Sequence, residues 1–272
     1  MSEEKEKGPG RAFAGMPGMS KELDAAVRAA RAGSKVLVEN FRKGLPAERK
    51  SPRELVTEAD LKSESRIIGI LQDSFPDYAL WSEEAGDLRQ EHDHRWIVDP
   101  LDGTHNFFFG LPIFGIAIAL AVKGRIKCSA ISLPAFNELY TAERGKGAFL
   151  NGRRIHVSKR PMENAAAILC EHFFDSPEGF KKFKELESKL FSIRRFGASV
   201  FSHGALASGY IDAIVEFREK IGDFAAGWLL VEEAGGKFTT ISGDEFSLDN
   251  SSYIASSGVF HKQLVEIMEG LG

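Results

Sequence analysis

The stretch WIVDPLDGTHNFFFG, residues 96–110, sets two demands against each other. Trp96, Ile97 and Val98 read as a buried strand, yet Asp99 and Asp102 follow at once with only Pro100 and Leu101 between them. A carboxylate carried into a protein interior loses its hydration, so a pair of them needs a cation or a set of donors. Two carboxylates on a tight turn at a strand end can converge on one point. Oxygen-only donors select Mg²⁺, Mn²⁺ or Ca²⁺ over zinc. The seven histidines are scattered, and neither H-E-x-x-H nor C-x-x-C occurs, which argues against a zinc site. The patterns G-x-x-x-x-G-K-[ST] and G-x-S-x-G are missing too, which argues against a P-loop NTPase and an α/β-hydrolase.

Other acidic residues invite the same question, and each has an ordinary reading beside the chemical one. Glu83 and Glu84 in WSEEAG could be a solvated turn. Asp60 stands three residues after Thr57, where it could simply complete a capping box. Asp223 could cap a helix beginning at Phe224. Glu216 could end a strand at the surface, and Asp99 and Asp102 could be turn formers.

The elements that must hold these residues follow from the pattern. Leu23, Ala26, Val27, Ala30, Val36, Leu37 and Phe41 recur near helical spacing and predict a helix over 19–43. KGLPAERKSPREL reads as a loop with two prolines, and TEADLKSESRIIGILQDSF as a second helix with Thr57 at its N-cap, ended by Pro76. YALWSEEAGD reads as a short strand running into a turn. From Phe114 to Ser158, apolar runs alternate with Gly, Pro and Asn-Gly turns, the pattern of an antiparallel sheet. Beyond about residue 158 the order becomes strand (AAILCEHFF), helix (PEGFKKFKELESKLF), strand (SIRRFG), helix (SVFSHGALASG), strand (IDAIVEF) and helix (DFAAGWLLVEEAGG), an α/β pattern. Three segments are expected: a flexible leader over 1–18, an α+β domain over 19–157 carrying most of the acidic set, and an α/β domain over 158–272 contributing Asp223.

Composition sets wide bounds. The 272 residues, 43% apolar, suffice for one large domain or two small ones. The net charge of −4 gives no basic stripe to suggest nucleic acid as the main partner. No apolar run approaches a membrane span, and the acidic N-terminus has no signal-like apolar core. Two distant cysteines, Cys128 and Cys170, fit a reduced, cytoplasmic protein. The 21 phenylalanines could serve an apolar interface as well as the core.

Together, WSEEAG, WIVDPLDGTHNF and GDFAAGWLLVEEAGG resemble the three signature segments of the inositol monophosphatase family of Mg²⁺-dependent, lithium-sensitive phosphatases. ELVTEAD and ERGKGAFLNGRRIHVS match in the same order, so the resemblance covers roughly residues 20–270. It implies a layered αβαβα sandwich of the sugar-phosphatase type, two to three Mg²⁺ ions and a homodimer. It also implies residue roles. Glu83, Asp99 and the Leu101 carbonyl would hold one ion, and Asp99, Asp102 and Asp223 a second, with a looser third near Glu83. Thr104, paired with Asp60, would orient the water that the metals activate. The N–H groups of Gly103 and Thr104 would hold phosphate oxygens, while Glu216 and Ser199 would meet substrate hydroxyls. Apart from the resemblance, strand alternation would put Arg218 on one face with Glu216 if the strand continues that far, where it could grip a second phosphate or a sugar hydroxyl; its ordinary reading is an ion pair with Glu216 or Glu219. The expected reaction is hydrolysis of a small polyol or sugar phosphate, inositol 1-phosphate first. Alternatives are fructose 1,6-bisphosphate, 3′-phosphoadenosine 5′-phosphate and histidinol phosphate, or a regulatory binding protein that keeps the fold. Three positions depart from the family pattern: Gly222 where tryptophan is usual, Ser82 where glycine is usual, and Glu54 where aspartate is common.

Overall fold

The computed structural model describes residues 18–44, 46–51, 54–89 and 92–270; the expected leader lies outside them except for Gly18. Helix α1 (Lys21–Asn40) starts where Ser20 accepts a hydrogen bond from the Leu23 N–H at 3.2 Å, and it buries Leu23, Ala26, Val27, Ala30 and Leu37. The following segment is not a plain loop. It holds an antiparallel hairpin, β1 (Ala47–Ser51) and β2 (Glu54–Thr57), which the apolar pattern hides because β1 is polar and mostly exposed. Helix α2 (Glu58–Ser74) begins with the expected Thr57–Asp60 capping box.

The first sheet comprises β3 (Ala79–Ser82), β4 (Gly86–Arg89), β5 (His94–Asp102), β6 (Gly115–Val122), β7 (Arg125–Leu133), β8 (Glu138–Glu143), β9 (Gly147–Leu150) and β10 (Arg153–Arg154). Its order is β10-β9-β8-β7-β6-β5-β3-β4, antiparallel except between β3 and β5. A short helix α3 (Thr104–Phe108) follows β5. The second sheet takes β11 (Ala166–Leu169), β12 (Ser192–Arg194), β13 (Ala213–Glu216), β14 (Lys237–Thr240) and β15 (Tyr253–Ser256), in the order β12-β11-β13-β15-β14. Its helices are α4 (Pro177–Lys189), α5 (Ser199–Ala207), α6 (Ile221–Glu233) and α7 (His261–Met268). The strand expected across AAILCEHFF stops at Leu169, and a 3₁₀ turn takes Glu171–Phe174. Elements β14, β15 and α7 were not read from the sequence.

Alternation along the strands builds the layers. Trp96 and Val98 face α1 and α2 in one apolar cluster, whereas Ile97 faces α5 and α6 in another. Ile168 and Ile214 close that middle layer from the second sheet, while Ala167, Leu169 and Val215 pack outward with Leu186 and Leu264 of α4 and α7. The result is the expected αβαβα sandwich, with α5 and α6 between the sheets. Strand β5 is buried on both faces along its middle, so Trp96–Val98 reads as a continuous apolar run. No helix among the described residues is long and apolar enough to cross a membrane.

Candidate metal centre

Asp99 and Asp102 are three residues apart, a spacing that puts side chains on opposite faces of a regular strand. The strand is not regular there. Asp99 pairs with Ala117 and Asp102 with Gly115, three steps on β5 against two on β6. A bulge at Pro100–Leu101 therefore re-aims the two carboxylates, and proline suits it because it has no N–H for the ladder. Asp99 is 1% exposed. Its Oδ1 accepts from the Leu101 N–H at 3.0 Å, whereas its Oδ2 is buried with no hydrogen-bond partner.

Neighbouring elements bring further carboxylates to Asp99. Glu83 continues the line of β3 beyond Ser82, its N–H donating to the Val98 carbonyl at 3.2 Å. Asp223 lies in the first turn of α6, not at its N-cap; the cap is Lys220, whose N–H donates to Asp223 Oδ2 at 3.0 Å. One oxygen each from Glu83, Asp99 and Asp223 lies within 4.8 Å of the others. Asp102 is not in that group of three; its Oδ2 accepts from the Val200 N–H of α5 at 2.5 Å.

Electrostatics expresses the strain. Burial pushes the Asp99 carboxyl well up from its ordinary range, and Glu83, Asp102 and Asp223 push it further. Burial likewise raises Asp223, helped by Glu219, Asp102 and Glu83. Asp102 is pushed up to about 8 by burial, partly opposed by its bond from Val200. Carboxylates so placed ionise together only if a cation joins them. The all-oxygen donor set, the close approach and the orphaned Asp99 oxygen fit a hard divalent ion such as Mg²⁺.

Asp60 and Thr104 lie beside this group. Asp60, 1% exposed, takes the Thr57 N–H at 2.8 Å and the Thr57 hydroxyl at 2.5 Å on Oδ2. The Thr104 hydroxyl lies 3.2 Å from Asp60 Oδ1 and 2.9 Å from the Leu101 carbonyl, so the expected pairing is present. Gly103 has φ of 81°, and a Cβ there would sit 2.8 Å from the Ile113 carbonyl oxygen; only glycine fits.

The substrate-side residues divide. Ser199 opens α5 and its hydroxyl donates to Glu219 at 2.6 Å. Glu216 ends β13, with the Cys170 thiol as a hydrogen-bonding neighbour, and burial and Glu219 raise its pKa. Arg218 departs from the expectation. β13 stops at Glu216 and Arg218 has φ of 59°, so strand alternation does not carry the two onto one face. Its side chain is 74% exposed and pairs with Asp175 at 3.6 Å.

Several partners escaped the sequence reading. Glu64 of α2 accepts from the Ser82 hydroxyl and from the N–H groups of Glu84 and Ala85, at 3.2 and 3.0 Å, and so fixes the two-Glu turn. Ser82 in place of glycine thus has a use. Glu84 pairs with Lys50 of the β1–β2 hairpin. Glu219 receives Tyr253 as well as Ser199, the Tyr253 hydroxyl lying 3.0 Å away. The space beside Gly222 is filled: a Cβ at 222 would lie 2.8 Å from the Trp81 ring and 3.4 Å from Asp99 Cβ. The side chain of Glu54 lies outside the described residues. A mixed run of charges, EFREK, was the available signal for Glu219 and Lys220, but it does not say which of them points inward.

The layered sheets and helices, with acidic residues gathered where β3, β5 and α6 end or begin, define a sandwich of the sugar-phosphatase type. The sequence profile described as the inositol monophosphatase family matches residues 19–271, and the chain belongs to that family. It is 35% identical over 254 residues to an inositol-1-monophosphatase of Mesorhizobium japonicum, covering 91% of this chain and 96% of the relative. A fructose-1,6-bisphosphatase/inositol-1-monophosphatase of Thermotoga maritima is 35% identical over 79% of this chain and 83% of its own length. The Nus factor SuhB of Pasteurella multocida is 34% identical over 91% and 95%. Among solved structures, extragenic suppressor protein suhB from Bartonella henselae superposes with a TM-score of 0.88 at 33% identity, over 92% of this chain and 99% of that one.

Proposed function

We propose that the chain is a Mg²⁺-dependent phosphomonoesterase for a small polyol or sugar phosphate, with inositol 1-phosphate as the first candidate. The observation that carries this reading is the buried Asp99 carboxylate, its Oδ2 without a hydrogen-bond partner, gathered with the carboxylates of Glu83 and Asp223. Bound ions would supply an acidified water and counter-charge for the phosphoryl oxygens. Glu83, Asp99 and the Leu101 carbonyl would hold one, Asp99, Asp102 and Asp223 another, and Glu83 a looser third. The Thr104 hydroxyl, steered by Asp60 and the Leu101 carbonyl, keeps lone-pair capacity to accept from the attacking water and orient it. The N–H groups of Gly103 and Thr104 would receive the phosphate. Glu216 and the Ser199 oxygen would accept from substrate hydroxyls.

A regulatory binding role is the second reading, favoured by the name of the Pasteurella relative. The intact set of Glu83, Asp99, Asp102, Thr104 and Asp223 supports chemistry over binding alone. The deciding experiment is phosphate release by the purified chain from inositol 1-phosphate, fructose 1,6-bisphosphate, 3′-phosphoadenosine 5′-phosphate and histidinol phosphate. Release should require Mg²⁺ and be inhibited by Ca²⁺, whose larger coordination number disturbs the geometry. Undiminished release in excess chelator, or none from any ester, would sink the reading. Lithium should inhibit at roughly tens of millimolar, the range that competes with a weak Mg²⁺ site. A homodimer is expected by light scattering.

A further inference from the structure

Lys220 touches two of the three gathered carboxylates by different means. Its backbone N–H donates to Asp223 Oδ2 at 3.0 Å. Its ammonium lies 3.2 Å from Glu83 Oε1, across 137 residues of sequence. The two contacts differ in consequence. An N–H fixes the direction of the Asp223 carboxylate and leaves the second oxygen available. An ammonium offers positive charge to the very carboxylate that a divalent ion would use. The Lys220 side chain is 45% exposed, so water can receive the ammonium when it leaves Glu83.

We infer that Lys220 is a resident competitor for the Glu83 side of the metal centre and sets the affinity of its most loosely held ion. The idea rests on the metal-dependent reading above. A single positive charge near a divalent ion at a half-exposed site is strongly screened by water, so its effect on affinity should be about tenfold. The charge also has a use of its own: it offsets part of the repulsion among Glu83, Asp99 and Asp223 before an ion arrives.

Removing the ammonium should therefore tighten metal binding, a direction that structural damage does not produce. The test is Mn²⁺ titration of the full chain, with no phosphate ester present, followed by the paramagnetic resonance signal of free Mn²⁺. Lys220→Met and Lys220→Gln should each bind the weakest ion about tenfold more tightly than the wild type. Lys220→Arg, which keeps the charge, should stay near the wild-type value. Metal-free Lys220→Met should melt below the wild type, and saturating Mn²⁺ should close that gap. If the wild type binds Mn²⁺ and both neutral variants bind it no more tightly, the competitor role is wrong. If the wild type binds no Mn²⁺, the metal-dependent reading fails first and takes this inference with it.

Discussion

Asp99, on β5, and Asp212, just ahead of β13, are sealed from water to the same degree, at 1% and 0% exposure. Their surroundings differ. Asp212 accepts from Arg160 Nε at 2.9 and 3.0 Å, from the Ala166 N–H at 2.8 Å and from the Ser158 hydroxyl. Arg160 in turn reaches the Gly209 and Tyr210 carbonyls, so the whole group is locked. Asp99 has one backbone donor, a vacant lone-pair side, and other carboxylates for neighbours. One aspartate brings its cation with it in the chain. On the reading proposed above, the other would receive one from solution, and the cost of its burial would be met when the ion binds. His203 shows a third way, burial as a neutral ring beside Tyr253.

Substitution should separate the first two cases most widely. Asp99→Asn should lower phosphate release by about a thousandfold or more, near 4 kcal/mol in activation free energy. It should leave metal-free thermal stability unchanged or raised, because it removes an uncompensated charge. Asp212→Asn should do the reverse, costing roughly 2–4 kcal/mol of stability by stranding Arg160, with turnover per folded molecule little changed. Denaturant titration and steady-state kinetics on both variants would break the comparison if Asp212→Asn proved the stable, inactive one.

The next effect is on the acid side. Burial holds the His203 ring at about 3, well below its ordinary value of 6.5. The unfolded chain then binds a proton that the folded chain refuses, so this contribution to stability is lost as pH falls below 6.5. The loss should reach about 2 kcal/mol by pH 5. His203→Gln, which can still meet Tyr253, should flatten that slope in unfolding curves taken between pH 7 and 5. An unchanged slope would mean that His203 is charged when buried.

Gly222 and Trp81 test the wall behind Asp99. Gly222→Ala should cost about 1–3 kcal/mol, because the new methyl meets the Trp81 ring. Combining Gly222→Trp with Trp81→Val should recover at least about 1 kcal/mol relative to the sum of the single changes. Strict additivity in thermal melts, or in Mn²⁺ affinity, would show that the two residues do not share one space.

The smallest effect is expected at Arg218. Arg218→Ala should change stability by no more than roughly 0.5 kcal/mol, as an exposed pair with Asp175 contributes little. Turnover of inositol 1-phosphate and fructose 1,6-bisphosphate should fall equally slightly. A selective loss of about tenfold on the bisphosphate would return Arg218 to substrate choice.

What was legible in the sequence was local. D-P-L-D-G-T marks its own strand end and tight turn, and Thr57–Asp60 is a cap closed within four residues. Contacts between distant segments were legible only where the family resemblance supplied them, as for Thr104 with Asp60 and for Glu83 with Asp99 and Asp223. Nothing local says that Ser82 serves Glu64, that Trp81 occupies the room left by Gly222, or that Lys220 meets Glu83. The segment after β13 misled for a specific reason: alternation holds only while the backbone is extended, and it ceases at Glu216. The β1–β2 hairpin stayed hidden because burial writes the strand pattern, and β1 is hardly buried.

The hydrogen bond from the Val200 N–H to Asp102 spans 98 residues of chain. A helix usually caps its first turn with a neighbour in sequence; α5 has no side-chain cap at Ala198 and takes an oxygen from the other sheet instead. The amide of Val200, the second residue of α5, is thus satisfied only once β5 has formed and docked across the middle layer. Deuterium uptake at Val200 would then report the meeting of the two sheets and not the winding of α5. That amide should gain protection late in refolding, as contacts of long sequence separation do, after the amides in the body of the helix are already slow.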